Sequence, residues 1–474
     1  MPLFDKIRDY KNNIALVSSK YGNIKYRNII ENEYKLKKII NKRSLILIIS
    51  TNSIAPIITY IFSTRNNCVV MLIDNKTEKE NVENIINKYQ HDFIVLPEEW
   101  HKNSKLNKNK KLLTFYDYAL IKNNNQNIEQ DKINEDISLL LATSGSLGSP
   151  KFVILSKENL ETNTNSIIKF LKILETDRAI TTMPLSYTYM LSIVNTHIEK
   201  GASILITDNS LMSRDFWNEY NSSQITTFSG VPYIFEMLTK LKIEKIYTPF
   251  LKTITQAGGG LDKKIILSIN NFCEKRDINF IVMYGQTEAT ARISYLDYKF
   301  LKNKIGSIGK SISGGKIWLE DLKGNKIEKS GISGELIYQG PNVFMGYARD
   351  RYDLSIYYKK NYKLRTGDIA SFDEEGFYYI EGRIKRIAKI FGNRFNLDEI
   401  EEKMKEKGFK IVCVNSNKKL LICYDQPYLE KEISMHLSKI THQNKSAFEC
   451  VKIESIPRTS SGKIDYDKVN KIQL

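Results

Sequence analysis

At 474 residues, 42% hydrophobic and 26% charged, the chain has the balance of an ordinary globular protein and length for about two to four folding units. A formal net charge of +17 and a pI near 9.3 raise the question of a nucleic acid or a membrane, but the lysines are spread among many Asn and Ile, so the excess reads as solvated surface that anionic substrates also favour. The five cysteines, Cys68, Cys273, Cys413, Cys423 and Cys450, are odd in number and far apart, which excludes paired zinc spacing and suits a reduced cytoplasm.

The chain begins Met1-Pro-Leu-Phe-Asp5, with no basic segment leading into an apolar one. Its most apolar early stretch, 45–62, is broken by Ser50, Asn52 and Pro56. Neither a signal peptide nor an integral membrane segment is expected, and the location is read as cytoplasmic. Strands are then predicted over 45–49, 69–73 and 93–96, with helices over 54–62 and 77–89, the second capped by Thr77. Such alternation argues a parallel, doubly wound sheet. Residues 102–136 become rich in Asn and Lys and read mainly as surface connection, apart from the more apolar 112–121.

Between strands predicted over 137–142 and 152–155 lies Thr143-Ser-Gly-Ser-Leu-Gly-Ser-Pro-Lys151. Gly145 and Gly148 let backbone N–H groups converge, the hydroxyls of Thr143, Ser144 and Ser146 donate, and Lys151 brings charge. These are the ingredients of a polyphosphate cradle, and also of a flexible serine–glycine turn. The spacing is not that of a Walker loop; Gly309-Lys310-Ser311 ends like one, but Lys304 stands where the first glycine is needed.

Beyond this loop Ser156 is placed to cap a helix carrying Leu160, Ile167, Ile168 and Leu171, and strands are expected near 179–183, 203–206, 226–229, 253–257 and 280–284. Two parallel sheets with helices between and around them accommodate the count, and no fixed period points to a solenoid. Met283-Tyr-Gly-Gln-Thr-Glu-Ala289 ends the last of these strands. Ligands bind at the carboxyl ends of strands in such sheets, so a hydroxyl and a carboxylate here suit a nucleotide and its magnesium; a solvated turn would use the same residues. Gln256-Ala-Gly-Gly-Gly260 follows another strand, as a ligand turn or as close backbone packing. Leu364-Arg-Thr-Gly-Asp368 and Gly382-Arg383 put a carboxylate and a guanidinium on neighbouring strands, able to take a ribose diol or to form a structural ion pair. The C-terminal part reads as a helix over 397–405, strands over 410–414 and 420–423, a helix over 429–440, and the glycine loop Pro457-Arg-Thr-Ser-Ser-Gly-Lys-Ile464.

In this order, and over nearly the full chain, the stretches resemble the adenylate-forming (AMP-binding) superfamily of acyl-CoA synthetases, peptide-synthetase adenylation domains and luciferases. The resemblance implies an α/β fold, with a large N-terminal domain of two doubly wound sheets and a small β-rich subdomain over 1–384, and a small mobile α+β C-terminal domain over 385–474. It implies that Thr143, Ser144, Gly145, Ser146, Gly148 and Lys151 hold phosphates and that Gly258 and Gly259 run along the adenine. Tyr284 and Gly285 belong to the aromatic-Gly-x-Thr-Glu motif in which the ring stacks on adenine, Thr287 contacts the AMP phosphate and Glu288 helps hold magnesium. Asp368 and Arg383 match ribose-binding positions, Lys385 the hinge, where many members have Asp, and Arg394 a phosphate contact. Lys463 matches the catalytic lysine that bridges carboxylate and phosphate. Leu147 and Phe152 depart from the family's usual Thr and Gly, and a hydroxyl lost without replacement costs about 1–3 kcal/mol of phosphate binding.

The implied chemistry is attack of a carboxylate on the α-phosphate of ATP, then rotation of the C-terminal domain and attack of a thiol on the acyl-adenylate. Tyr187, Thr188 and Gly230 match positions that border the acid pocket. Amino-acid-activating members usually place an Asp at or beside Thr188, whereas no acidic residue lies between Asp177 and Glu199, which favours an acid without an α-ammonium group. The leading function is an acyl-CoA synthetase using ATP, Mg2+ and CoA. A ligase loading the phosphopantetheine arm of an acyl carrier protein, an aminoacyl version included, and a non-catalytic nucleotide-binding protein stand as alternatives. A weaker similarity to proteins encoded with bacterial surface-polysaccharide genes raises acyl supply for sugars.

Overall fold

Runs such as Leu45–Ser50 and Val69–Asp74, apolar at nearly every position, fit strands whose two faces are both covered. The computed structural model describes residues 2–123, 132–142, 151–356, 358, 362–390, 393–415, 419–441, 443–460 and 462–472, with backbone alone at 385, 387, 389, 390, 393 and 394. Contacts divide the chain into two units, the first made of Met1–Gly306, Ser311–Lys316 and Gln339–Leu364, the second of Ser307–Lys310, Ile317–Tyr338 and Arg365–Leu474.

The first unit holds two sheets. In one, Ile137–Ala142, Val69–Asp74, Leu45–Ser50 and Phe93–Pro97 run parallel, and antiparallel strands flank them: Phe152–Ser156 and Gly346–Ala348 on one side, Tyr118–Lys122 and Lys111–Phe115 on the other. In the other, Asn279–Tyr284, Thr253–Gln256, Thr227–Gly230, Arg178–Ile180, Ser203–Ile206 and Ile14–Ser18 are parallel, with antiparallel Ser294–Leu296 and Gly22–Lys25 beside its ends. Alternation along Leu45–Ser50 separates two cores: Ile46 and Ile48 join the large cluster shared with the second sheet, while Leu47 and Ile49 pack with Val82, Ile85 and Ile86 of the helix Lys79–Tyr89. The helices Ile54–Arg65 and Thr188–Glu199 are buried on nearly every side, as expected of elements enclosed in that large cluster.

The second unit contains a six-stranded sheet in the order Lys326–Ile327, Lys316–Glu320, Gly334–Gln339, Lys363–Phe372, Tyr378–Arg383, Ser307–Ser311. Beyond it lies the hairpin of Ile387–Ile390 and Asn393–Asn396. The three-stranded sheet Val412–Asn415, Leu420–Tyr424, Phe448–Lys452 packs the helices Leu397–Glu406 and Glu430–Thr441 on one face and Tyr466–Asn470 on the other. The α/β class with two parallel sheets, a β-rich part and a small α+β part is the architecture observed.

Two local expectations need correction. Thr77 does not cap its helix: Glu78 occupies that place, and the Thr77 N–H closes a turn onto the Asp74 carbonyl. Residues 111–122 are more than connection, because the Lys111–Phe115 and Tyr118–Lys122 hairpin extends a sheet and buries Tyr118 and Leu120.

Candidate active site

The strand Asn279–Tyr284 ends in a glycine that nothing else can replace. A Cβ on Gly285 would lie 2.0 Å from the Ala291 carbonyl oxygen, because the chain turns back at once. Thr287–Ala289 forms a 3-10 turn, and Thr290 follows with φ of 64°. The turn is fastened from outside: Asn342 Nδ2 donates to the Ala289 and Arg292 carbonyls at 2.8 and 2.9 Å, and Asn163 Nδ2 to the Arg292 carbonyl at 3.0 Å. Thr290 Oγ1 donates to the Asn342 carbonyl at 2.7 Å, and the Phe344 N–H to the Glu288 carbonyl at 2.9 Å. Segment 341–344 is itself anchored by Asn159, whose Nδ2 reaches the Pro341 and Val343 carbonyls at 2.7 and 2.9 Å. Asn159 can do this because it sits in the first turn of the helix Lys157–Leu171, in a reciprocal capping box with Ser156.

This scaffold aims two side chains. Thr287 Oγ1 lies 2.9 Å from Thr188 Oγ1, at the first residue of the buried helix. Glu288 Oε1 accepts from Tyr347 OH at 2.8 Å, and burial together with the Glu288 charge raises the Tyr347 pKa, so the phenol keeps its proton and donates. Lys151 Nζ stands 3.7 Å from the centre of the Tyr347 ring. Lysine, phenol and carboxylate thus form a connected array. No group of three or more His, Cys, Asp or Glu among the described residues forms a metal cage. A single carboxylate held by a phenol fits magnesium, which is commonly held by one or two carboxylates and the substrate's phosphates.

Beside this array, Gly258 has φ of +89°, and a Cβ there would come within 2.6 Å of Tyr187 OH. The Gly259 carbonyl accepts from Gln256 Nε2 at 2.9 Å. Gly230 gives room for the next helix, since a Cβ would lie 2.9 Å from Ile234. Burial pushes the Tyr187 pKa up to about 12, against a smaller lowering by Arg292. Tyr284 ends its strand paired with Ser294.

In the second unit Asp368 and Arg383 are cross-strand partners, with Arg383 Nε 2.8 Å from Asp368 Oδ1. The carboxylate is 3% exposed and the guanidinium side chain 60%, so a buried acceptor lies under an accessible donor. Lys463 stands in a small hairpin: Arg458 and Ile464 bridge, the Thr459 N–H donates to the Lys463 carbonyl at 2.8 Å, and Gly462 turns the chain at φ of +82°. Next to it Tyr466 stacks on Arg386, 4.0 Å from ring centre to guanidinium, and donates to Glu401 at 3.2 Å. Arg386 also pairs with Asp398 and Glu401 at 2.8 and 2.5 Å. Lys385 lies in the 3-10 turn Ile384–Arg386 and Arg394 in the strand Asn393–Asn396; the side chains of both lie outside the described residues, as do Thr143, Ser144, Gly145, Ser146, Gly148 and Gly392. Their flanks are described, and Ala142 and Phe152 are antiparallel partners.

Asp368 and Arg383, expected on neighbouring strands, are cross-strand partners, and the structure also brings Thr188 against Thr287 and Tyr187 against Gly258, contacts that sequence reasoning had not paired. That reasoning missed Tyr347, Asn342, Asn163 and Arg292. The available signal for Asn342 was an amide in an otherwise apolar stretch between Pro341 and Val343; Tyr347 reads like any strand tyrosine.

Parallel strands that deliver a threonine and a carboxylate at a carboxyl-end turn define a nucleotide-binding α/β protein. A family described as AMP-binding enzyme matches residues 35–348, and the chain belongs to it. The chain is similar to a 2-succinylbenzoate–CoA ligase of Listeria monocytogenes serotype 4b (strain F2365), 27% identical over 345 residues that cover 70% of this chain and 69% of that one. In fold it is similar to the o-succinylbenzoate CoA synthetase of Bacillus subtilis, solved with its acyl-adenylate intermediate, with a TM-score of 0.77, 18% identity, and coverage of 99% of this chain and 98% of the other. The structure of the Bacillus subtilis enzyme with ATP and magnesium gives a TM-score of 0.77, 18% identity and 99% coverage of both chains. No helix among the described residues is long and apolar enough to cross a membrane.

Proposed function

We propose that this AMP-binding enzyme is an acid–thiol ligase that joins a small carboxylic acid to coenzyme A in two steps. The observation that carries the reading is the Thr287–Glu288 turn, braced by Tyr347 and Lys151, in a chain whose family membership is established. In the first step a carboxylate oxygen of the acid bonds to the α-phosphorus of ATP, the bond to the bridging oxygen breaks, and pyrophosphate leaves. Thr287 donates to the α-phosphate, Lys151 and the 143–148 segment take the other phosphates, and Lys463 neutralises charge between carboxylate and phosphate. Magnesium, when bound, spreads that charge further, and Glu288 would hold it through a carboxylate kept in place by the Tyr347 hydroxyl. Tyr284, Gly258 and Gly259 border the adenine, Asp368 accepts from a ribose hydroxyl while Arg383 donates, and Arg394 contacts phosphate.

In the second step the thiol sulfur bonds to the acyl carbon, the mixed-anhydride C–O bond breaks, AMP leaves, and the thiol proton passes to solvent. Withdrawal of Lys463 by a turn of the chain at Lys385, with residues 385–474 moving as a small domain, opens the acyl-adenylate to the thiol. Coenzyme A rather than a carrier protein is favoured because the curated relative is a CoA ligase. The absence of acidic residues between Asp177 and Glu199 favours an acid without an ammonium group. The dispersed lysines favour no nucleic-acid partner.

The test is acid-dependent exchange of labelled pyrophosphate into ATP by the full-length protein, across short, aromatic, hydroxylated, dicarboxylic and amino acids, followed by thioester formation with CoA or with carrier proteins. Exchange with at least one acid and thioester formation with CoA are expected. ATP binding without exchange for any acid would favour the non-catalytic alternative.

A further inference from the structure

Threonines inside the helices direct their single hydroxyl proton to the carbonyl one turn earlier: Thr59 to Ala55 at 2.8 Å, Thr162 to Glu158 at 2.7 Å, Thr196 to Ser192 at 2.9 Å and Thr239 to Phe235 at 2.9 Å. Thr188 is placed differently. As the first residue of the helix Thr188–Glu199 it has no helical turn behind it, and the Pro184 carbonyl, four residues earlier, accepts from the Tyr187 N–H instead. Among the described residues the Thr188 hydroxyl has one hydrogen-bond partner, Thr287 Oγ1 at 2.9 Å, and the Thr287 hydroxyl has none but Thr188. Thr188 is 6% exposed, whereas Thr287 is only half-buried in its turn.

The direction of that bond follows from proton counting. A hydroxyl carries one proton and two lone pairs, so in a pair of hydroxyls one donates and the other keeps its proton for a third group. Thr188 meets no third acceptor among the described residues, whereas Thr287 is the residue assigned to the α-phosphate. Were Thr287 the donor of the pair, its oxygen would turn only lone pairs towards a phosphate oxyanion, and the two would repel. With Thr188 as donor, the Thr287 oxygen is held by the bond it accepts and its own proton is turned outward. Polarisation along the two hydroxyls then strengthens that outward donation. Both ends are held in place, Thr188 by a helix buried on nearly every side and Thr287 by a turn that the Asn163 and Asn342 amides fasten.

We propose that Thr188 is a positioning residue for Thr287: its buried hydroxyl donates to Thr287 Oγ1 and leaves the Thr287 proton directed at the α-phosphate. Its role is thus to orient the phosphate donor, not to touch the acid. This rests on the reading of Thr287 as that donor in the acid–thiol ligase and deepens it.

The experiment titrates the full-length protein calorimetrically with AMP and with adenosine, which lacks the phosphate. In Thr188→Val the affinity for AMP is expected to fall about three- to tenfold, the worth of one hydrogen bond, while that for adenosine stays within about twofold of the native value. Thr188→Ser, which keeps the hydroxyl, retains most of the AMP affinity. Thr287→Val also weakens AMP selectively, and adding Thr188→Val to it produces no further loss, because the positioned group is already gone. Thermal unfolding reports whether each variant folds, and Thr188→Ala, which introduces no added bulk, carries the same comparison should the valine variant unfold. Equal losses for AMP and adenosine in a folded variant overturn the proposal and leave Thr188 a structural role. Unchanged AMP affinity, or losses that add in the double variant, overturn it as well. The ligase reading is tested separately by acid-dependent exchange, so its failure is distinguished from a failure of the AMP comparison.

Discussion

The role proposed for Glu288 follows from its residue type, but the position of its carboxylate depends on a phenol 59 residues away in sequence. A carboxylate in the last turn before solvent would ordinarily sample several rotamers, and the Tyr347 hydroxyl selects one, while Lys151 over the ring restricts the ring itself. Removing the hydroxyl in Tyr347→Phe takes away one hydrogen bond to a charged group, a loss of about 1.5–3 kcal/mol. We expect pyrophosphate exchange to fall about tenfold or more at limiting magnesium and to recover partly as magnesium is raised, with the unfolding temperature little changed. A loss insensitive to magnesium would mean that Tyr347 acts on something other than the metal-holding role proposed for Glu288. Glu288 was singled out because Tyr284-Gly-Gln-Thr-Glu288 ends a predicted strand and resembles the aromatic-Gly-x-Thr-Glu motif of the superfamily; the strand and turn alone would equally have suited a solvated loop. Tyr347 was illegible for a physical reason: its partner is met only when the Gly346–Ala348 strand pairs with Phe152–Ser156, a contact between distant stretches of chain.

At the scale of elements, the long apolar strands and the Ser156-capped helix were readable because each is set by local pattern and burial. The turn over 285–292 was not, because its backbone groups are satisfied by side chains from two other segments, Asn163 and Asn342, and by the Phe344 N–H. Asn342 carries the largest share, donating to two carbonyls and accepting through its own carbonyl from Thr290. Asn342→Ala removes one buried donor from each carbonyl, leaving Arg292 with Asn163 Nδ2 and Ala289 with the Ala291 N–H, so the loss is two hydrogen bonds of about 0.5–1.5 kcal/mol each. Urea unfolding of the variant is therefore expected to show a loss of about 1–3 kcal/mol, and exchange activity to fall further than the fraction of folded protein explains. Asn342→Asp keeps the shape and one acceptor but not the donors, so it should resemble alanine rather than the native residue. If both variants unfold like the native protein, the turn is held by its glycine and by packing alone. The missed cap at Thr77 has the same lesson at smaller scale: a threonine before a helical pattern competes with a neighbouring turn, here the one closed onto Asp74.

For the molecule as a whole, the resemblance was legible because four stretches, far apart in sequence, stood in one order, and order over nearly the full chain is harder to meet by chance than any single glycine loop. What the sequence could not carry is how Lys463 is presented. Its loop closes through Arg458, Thr459 and Gly462, and the helix that follows starts with Tyr466, locked onto the Arg386–Glu401 pair immediately after the predicted hinge. The lysine is thus tied to the residues that follow Lys385 by a buried cation, a carboxylate and a phenol, so the hinge motion proposed at Lys385 would carry Lys463 with it. That coupling makes the two half-reactions separable. Lys463→Ala should abolish acid-dependent pyrophosphate exchange, by about 100-fold or more if the cation stabilises the developing charge directly. The same variant, given a chemically prepared acyl-adenylate and CoA, should still release AMP and form thioester at near the native rate if the lysine is withdrawn in that step as proposed. Equal loss of both half-reactions would mean that Lys463 serves the thiol step as well, and that the chain completes both reactions without moving it.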